Sequence, residues 1–394
     1  MKRTDFSVDW LFAACAPDTE LLPWNAQFTP GDRPHDCQIR HADDLYRDGT
    51  LFYRKYFFVT DVSGTRRMLW FGGAYMDTTV FVNGTEVGQW KYGYTSFWFD
   101  ITDALHEGQN EVLVRCNLRH PNSRWYSGAG LYRNVELWEA PDLHLMPDGL
   151  YVAAKEGDNG AWTVAVTAEA GSVTAAITGR TLTLHLTDDN GSLLGTAAIP
   201  ADAWTALPSP DGWRTGKETA IYKASHTFTL QDPALWDLDA PSFYHITAEL
   251  TGADGVTDTL TTRFGCRTIE ATPDRGLLVN HKRVLIKGVC IHHDFGCLGS
   301  AFEYSAAKRQ LEILKSMGVN SIRTGHTPPA PQFMDLADEM GILMDVESFD
   351  CWRSGKNPYD YGRFFDEWQE KDVDRKSTRL NSSHSSVLRM PSSA

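Results

Sequence analysis

The chain has 394 residues, which is long for one ordinary domain, so we expect two or three. Acidic residues outnumber basic ones 51 to 37, which argues against nucleic acid or an anionic membrane surface as a partner, because both attract cationic faces. No stretch approaches the roughly 20 apolar residues that a membrane span requires. A neutral or cationic small substrate fits this charge better.

The seven cysteines are scattered and form no CxxC pair, so neither a zinc site nor a disulfide framework is indicated. A reducing compartment is the simpler interpretation. The apolar run at residues 10–16 is too short, and too closely bracketed by Asp9 and Asp18, to be the apolar region of a signal peptide. We therefore expect a soluble, cytoplasmic protein.

Residues 1–140 have the pattern of strands and turns. Asn83-Gly84, between alternating flanks, is a strong hairpin signal. Short runs of β-branched and aromatic residues predict strands at 51–60, 68–72, 78–82 and 111–117. An all-β sandwich is the expected fold of this region.

Residues 141–264 form a second strand-rich region. Alternating apolar and polar residues predict strands at 162–168, 181–186, 225–230 and 244–250. Asp189-Asn190-Gly191 and Asp254-Gly255 supply turns between strands. About seven strands in a little over roughly 100 residues indicate an immunoglobulin-like sandwich.

The pattern changes after residue 264. Asn280-His281 predicts a hairpin turn between runs at 277–279 and 283–286, and we expect a barrel strand at 284–289. That strand would end in His292, His293 and Asp294. A histidine pair beside an aspartate is compatible with a metal, but neighbouring strand residues point to opposite faces, so we favour hydrogen bonding in a substrate pocket. A helix at 304–317, ended by Gly318, follows.

A strand–helix–strand unit occupies residues 320–352. The first strand surrounds Ile322 and stops at Gly325, which presents Arg323 and His326 near its carboxyl end. Pro331 suits the first position of a helix whose apolar stripe ends at a glycine. The second strand, 342–346, is followed at once by Glu347, Asp350 and Trp352. In barrels of parallel strands, polar residues at these ends are the usual place for chemistry.

These residues carry a family resemblance. The spacing of Asn320, Arg323, His326, Pro328, Asp338 and Gly341 resembles the signature of glycoside hydrolase family 2, whose members include β-galactosidases, β-glucuronidases and β-mannosidases. Upstream, VFVNGTEVG, FDITDAL and RWYSGAGLYR are similar to its jelly-roll sugar-binding domain. The chain departs from the family at Gly325, Thr327 and Val346, which concerns details of the pocket.

The resemblance implies a multidomain fold. It comprises a jelly-roll sandwich at 1–140, an immunoglobulin-like sandwich at 141–264, and the first three or so of the eight units of a (β/α)₈ TIM barrel at 265–375. The Ser-rich residues 376–394 resemble a foreign or disordered tail. Three parallel strands leave an open edge, so we expect the sandwiches to fold while the barrel portion does not fold cooperatively, with a stable core ending near Phe264.

The resemblance also implies an activity, the retaining hydrolysis of β-glycosides by two carboxylates. In the family both catalytic glutamates lie on later strands, so we expect neither before residue 375 and regard the chain as an inactive N-terminal fragment. A neutral β-galactoside is the favoured substrate, since no basic cluster for a uronate is evident; β-glucuronide and β-mannoside specificity stay open. A non-catalytic carbohydrate-binding or scaffold protein is the alternative.

The expected site is a partial substrate pocket without a metal. Its expected members are His293, Asp294, Arg323, His326, Glu347, Asp350 and Trp352. By analogy with the family, Asn122, Ser123 and Arg124 lean toward the same mouth, whereas Trp125 and Arg133 are expected to be structural. No cofactor is evident, although the full-length enzyme could carry a divalent or monovalent cation and could form a homo-oligomer.

Overall fold

The computed structural model describes residues 1–31, 35–37, 47–173, 177–207, 218–253 and 255–373. The expected tail at 376–394 and Asp254 of one predicted turn lie outside these residues.

The first domain is a sandwich of two antiparallel sheets. Its strands are β1 (Lys2–Asp5), β2 (Leu11–Cys15), β3 (Thr29–Pro30), β4 (Gly49–Val59), β5 (Thr65–Phe71), β6 (Thr78–Val82), β7 (Thr85–Trp90), β8 (Phe97–Asp100), β9 (Gly108–Leu118) and β10 (Val135–Pro141). One sheet has the order β1-β10-β5-β8, and the other has the order β3-β2-β4-β9-β6-β7. The four predicted strands and the hairpin are confirmed, with Asn83 and Gly84 at φ 48° and 78°.

The second domain is a smaller sandwich of the immunoglobulin type. Its strands are β11 (His144–Glu156), β12 (Ala161–Ser172), β13 (Thr181–Asp188), β14 (Leu193–Pro200), β15 (Thr205–Ala206), β16 (Ala220–Gln231), β17 (Tyr244–Gly252) and β18 (Gly255–Phe264). The sheets have the orders β11-β12-β16-β15 and β14-β13-β17-β18. Alternate residues of β13, Leu182, Leu184 and Leu186, are buried in the core between them, as the period of two predicts.

The third domain begins with a hairpin and continues as a parallel sheet. The strands β19 (Ile269–Thr272), β20 (Gly276–Val279) and β21 (Lys282–Arg283) form a small antiparallel sheet, in which β20 and β21 are the predicted hairpin. The parallel strands are β22 (Gly288–Ile291), β23 (Ser321–Thr324) and β24 (Leu343–Val346). The helices are α1 (Tyr304–Ser316), α2 (Pro331–Glu339) and α3 (365–373). The order β22-β23-β24 with intervening helices is the start of a TIM barrel, which confirms the expected fold class.

The expected barrel strand at 284–289 is wrong in position, since β22 begins only at Gly288. Val284 donates its amide to Leu277 and packs with the hairpin instead. Leu285 and Ile286 lie before β22 and are exposed. Their apolar character led to the expectation of a buried strand at this position. Parallel pairing starts where Gly288 meets Ser321.

Proline and glycine residues bound the two helices between the parallel strands. Pro331 occupies the first turn of α2, and Gly341 follows its end at φ 64°, where a Cβ would collide with the backbone of Leu238 in the second domain. Gly318 ends α1 in the same way, at φ 85°, but with open space around it.

Residues 348–373, called here the return segment, leave β24 and pack on the first domain. Phe349, Tyr361, Phe365 and Trp368 belong to the hydrophobic core of the first sandwich. The hydroxyl of Tyr92 donates to the Ser348 carbonyl at 2.7 Å. The side chains of the return segment thus complete a sandwich core. The expectation that the barrel portion does not fold cooperatively stays a prediction.

Within the described part of the chain, every helix is too short or too polar to cross a membrane.

Candidate active site

Arg323, His326 and Glu347 meet where β23 and β24 end. Arg323 Nε donates to Glu347 Oε1 at 3.0 Å, and His326 Nδ1 lies 2.7 Å from Glu347 Oε2. Strand register explains the meeting, since Thr324 pairs with Val346 and both chains then turn at the same edge of the sheet. The side chains of His326 and Glu347 are 26% and 27% exposed, so they can meet a ligand from solvent.

The hydrogen bonds assign the histidine tautomer. Arg323 Nη2 lies 3.1 Å from His326 Nδ1, but a nitrogen that donates to Glu347 cannot also accept from Arg323. The shorter distance to the carboxylate favours a proton on Nδ1, which leaves Nε2 available to a ligand. Partial burial alone would lower the pKa of Arg323, but its hydrogen bonds to Glu347 and Cys290 outweigh burial and raise it.

The turn that carries His326 is closely packed. The Gly325 amide donates to the Ile291 carbonyl at 2.9 Å, which continues the pairing of β22 with β23 beyond the strand ends. A Cβ on Gly325 would lie 2.9 Å from Cys290 Sγ, so even alanine would require the Cys290 side chain to shift. Gly325, where the chain departs from the family pattern, therefore leaves room for the Cys290 side chain.

Trp125, a residue of the first domain, forms one wall of the site. Its ring stacks on His292, with centroids 5.6 Å apart and planes at 15°, and meets His326 edge-on at 5.5 Å. The ring also packs against the core of the sandwich, so the expectation that Trp125 is structural stays a prediction. Sequence reasoning missed this contact, since no local pattern indicates which barrel residue a loop of another domain will meet.

His292 and His293 follow the end of β22 and make different contacts, His292 with Trp125 and His293 with Ser127. His293 Nε2 donates to the Ser127 carbonyl at 2.9 Å, and its ring lies 5.1 Å from that of Tyr94. Burial lowers the pKa of His293 to about 4, so this ring is neutral at ordinary pH. Asp294 is exposed. Two of the expected pocket residues therefore lie away from the Arg323–His326–Glu347 cluster.

Asp350 and Trp352 lie on the return segment at the rim. Asp350 accepts from Arg124 of the first domain and from Lys356, at 2.5 and 2.9 Å. Burial alone would raise the pKa of Asp350, but these two cations lower it. Trp352 is 51% exposed and packs edge-on against Phe349.

The loop ahead of Trp125 does approach the mouth, as expected by analogy. Arg124 reaches Asp350, whereas Asn122 is buried and accepts from the Tyr75 hydroxyl at 3.1 Å. Ser123 Oγ donates to the Trp125 carbonyl at 2.6 Å. Arg124 is thus the member of this loop with a charged group at the rim.

The site carries both hydrogen-bond donors and acceptors. It offers an imidazole nitrogen, a guanidinium, carboxylate oxygens and aromatic faces, which suit hydroxyl groups and the apolar faces of sugar rings. Across the described residues, no cluster of three or more His, Cys, Asp or Glu side chains is arranged to hold a metal ion.

Three family models match successive parts of the chain. The model described as "Glycosyl hydrolases family 2, sugar binding domain" matches residues 32–141, "Glycosyl hydrolases family 2" matches 148–267, and "Glycosyl hydrolases family 2, TIM barrel domain" matches 271–388. Their order is that of the two sandwiches and the barrel strands.

The matches to curated relatives cover most of the chain. β-Galactosidase BoGH2A of Bacteroides ovatus is 34% identical over 391 residues, which cover 94% of this chain and 44% of the relative. A β-glucuronidase of Bacteroides fragilis is 26% identical, with 82% of this chain and 45% of the relative covered. The crystal structure of a β-glycosidase from Bacteroides vulgatus is similar at a TM-score of 0.84 and 28% identity, over 98% of this chain and 50% of that one.

The chain thus spans about half the length of these relatives, or less. The matches cover both sandwiches and the barrel strands that carry Arg323, His326 and Glu347. By its domains and their order, the chain belongs to glycoside hydrolase family 2.

Proposed function

We propose that this chain forms the N-terminal part of a retaining β-glycosidase that acts on β-galactosides. The observation that carries the proposal is the Arg323–His326–Glu347 cluster at the carboxyl ends of two adjacent parallel strands, walled by Trp125. The catalytic carboxylates would lie on barrel strands after residue 373, so residues 1–373 alone would bind part of the sugar without cleaving it.

Each member of the cluster has a role set by its contacts. Glu347 accepts from both Arg323 and His326, so its two oxygens are engaged and it acts as an orienting group in place of a nucleophile. His326 then offers Nε2 to a sugar hydroxyl while Nδ1 stays on Glu347. A retaining glycosidase needs its two catalytic carboxyls about 5–5.5 Å apart, on either side of the scissile bond. Glu347 and Asp350 belong to one loop and do not suit that pair.

The remaining expected residues divide by position. Asp350 and the exposed Trp352 would contact a sugar at the rim, as acceptor and stacking face. His293 would support the pocket from behind through Ser127, and Asp294 would contact substrate only with a longer sugar chain.

Charge pairing supports a neutral sugar. The three cationic side chains named at the site are all paired with carboxylates, Arg323 with Glu347, and Arg124 and Lys356 with Asp350. A uronate would have to displace one of these carboxylates before it gained a bidentate partner. A galactoside requires no such exchange.

None of the seven cysteines is in a disulfide, and several are buried. This supports a further part of the proposal, that the protein works in the reducing cytoplasm.

The test is to extend the chain with the native reading frame after residue 373 and to assay the purified protein on nitrophenyl β-galactoside, β-glucuronide and β-mannoside. We expect kcat/KM to be highest for the galactoside, with the β-anomer as first product. A folded, extended protein that hydrolyses none of the three would instead support a carbohydrate-binding or scaffold role. Preference for the glucuronide would show that the charge argument is wrong.

A further inference from the structure

Arg133 is a buried cation at the junction of the first domain and the barrel. It is 3% exposed and precedes β10. Its Nη1 donates to the carbonyls of Gly72 and Tyr94, at 3.2 and 2.7 Å, and its Nη2 donates to the carbonyl of Pro328 at 2.9 Å. The first two carbonyls belong to the sandwich, and the third belongs to the turn that carries His326.

The sandwich is shaped to admit this side chain. A Cβ on Gly72 would lie 3.2 Å from Arg133 Cβ, and one on Gly73 would lie 3.0 Å from Arg133 Cδ. Gly73 also has φ 153°, a conformation that side chains rarely adopt. The two glycines therefore leave a slot for the stem, and the guanidinium leaves this slot toward the barrel.

We propose that Arg133 is a positioning residue that fixes the His326 turn to the first sandwich and thereby places His326 for the sugar. Arg133 does not contact the sugar itself. The catalytic part of this proposal rests on the proposed function. The attachment of the His326 turn to the first sandwich can be measured without an activity assay.

The geometry of the turn makes the carbonyl of Pro328 an effective point of attachment. Pro328 lies two residues after His326 and is followed by a second proline, so the backbone between them has little freedom. The amide of Phe302 donates to the Tyr132 carbonyl at 2.8 Å, which ties the loop before α1 to the residue next to Arg133. One short segment of the sandwich thus holds the approaches to two barrel elements.

A guanidinium is required because three carbonyls must be reached at once. The planar guanidinium presents its two terminal nitrogens in different directions, so they can donate to both domains at once. A lysine side chain is shorter and ends in one nitrogen. Lysine at position 133 would keep the charge and the fit of the stem while losing the simultaneous contact with both domains.

The experiment is hydrogen exchange on the 394-residue chain, followed by mass spectrometry of peptides. In Arg133→Lys we expect exchange in the peptide 323–334 to rise roughly tenfold, the factor for one charge-assisted hydrogen bond. The exchange rates of peptides from the second domain should not change. Arg115→Lys is the matched control, because Arg115 also donates to a backbone carbonyl, that of Glu20, but makes its bonds within the first domain.

The outcomes divide cleanly. Faster exchange in 323–334, absent in the control, supports the proposal. Faster exchange only around Gly72 and Tyr94 would overturn it, since Arg133 would then stabilise the sandwich alone. If Arg133→Lys unfolds globally, Arg133→Gln is compared by the same measurement, and global unfolding of both would also assign Arg133 to sandwich stability and overturn the proposal.

The kinetic arm uses the chain extended through the barrel. Arg133→Lys should lower kcat with KM nearly unchanged, because a displaced His326 loses transition-state contacts more than ground-state ones. A rise in KM at constant kcat contradicts the positioning role. If the unsubstituted extended protein hydrolyses no glycoside, the proposed function fails, while the exchange result on the 394-residue chain still decides the structural link.

Discussion

The buried carboxyl of Asp372 predicts that the return segment docks more weakly as pH rises. Asp372 is 1% exposed, accepts from Thr95 of the first domain at 2.7 Å, and accepts from the Tyr361 hydroxyl. Burial raises its pKa from 3.8 to about 7, although the hydrogen bonds from Tyr361 and Thr95 act in the opposite direction. The folded state therefore retains a proton that the unfolded chain releases.

The sign and size follow from proton linkage. The stabilisation from the protonated carboxyl is fully present below pH 3.8 and is lost as pH rises toward about 7, because over that window the folded state binds more protons. The window is roughly three pH units, and at ~1.4 kcal/mol per unit the loss approaches about 4 kcal/mol.

The perturbation is Asp372→Asn, which removes the ionisation and keeps the shape. We expect the wild-type unfolding midpoint in urea, followed by tryptophan fluorescence, to fall between pH 5 and 8, while that of Asp372→Asn stays nearly constant. At pH 5 the two should agree within ~1 kcal/mol, and at pH 8 the variant should be more stable. Asp366→Asn, on the exposed side of α3, is the control and should follow the wild type. Equal pH slopes in wild type and Asp372→Asn would refute the reasoning.

Three further predictions concern the site and the packing around it. In the extended enzyme, His326→Ala should lower kcat and kcat/KM together by roughly 10²–10³ with KM nearly unchanged, as for the loss of other preorganised hydrogen-bonding groups; unchanged kcat with raised KM would make His326 a ground-state binding group. Limited proteolysis of the 394-residue chain should protect the return segment, and a stable product ending near Phe264 would show that it does not dock. Gly341→Ala should cost about 3 kcal/mol or more in the free energy of unfolding, against ~1 kcal/mol for Gly318→Ala, which has the same backbone conformation but open space; equal melting temperatures would contradict the role of the contact with the second domain.

The elements that the sequence predicted well are those set by local chemistry. Asn83-Gly84 produces its hairpin because both residues accept positive φ, and Pro331 and Gly341 bound α2 because one suits a helix start and the other a left-handed end. The meeting of His326 with Glu347 also followed from the pattern, since parallel strands end at one edge.

The features that the sequence did not predict depend on contacts between distant parts of the chain. Leu285 and Ile286 have the composition of a buried strand, yet Val284 is drawn into the hairpin by Leu277, so the strand starts later. The partner of Trp125 is more than 160 positions away in the sequence, and nothing in its own neighbourhood specifies His292. Local periodicity predicts which face of a helix or strand is buried, but it does not predict which distant residues cover that face.

The first sandwich and the barrel strands are therefore better understood as one structural unit than as a binding module attached to a catalytic one. The sandwich supplies Trp125 to the wall of the site and Arg124 to its rim, and Arg133 holds the His326 turn from behind. The barrel in turn supplies the return segment to the sandwich core. Since each domain completes the other, a substitution in the interface should affect both the stability of the sandwich and the geometry of the site. The contacts of Trp125, Arg124 and Arg133 are those of a domain that supports the barrel mouth.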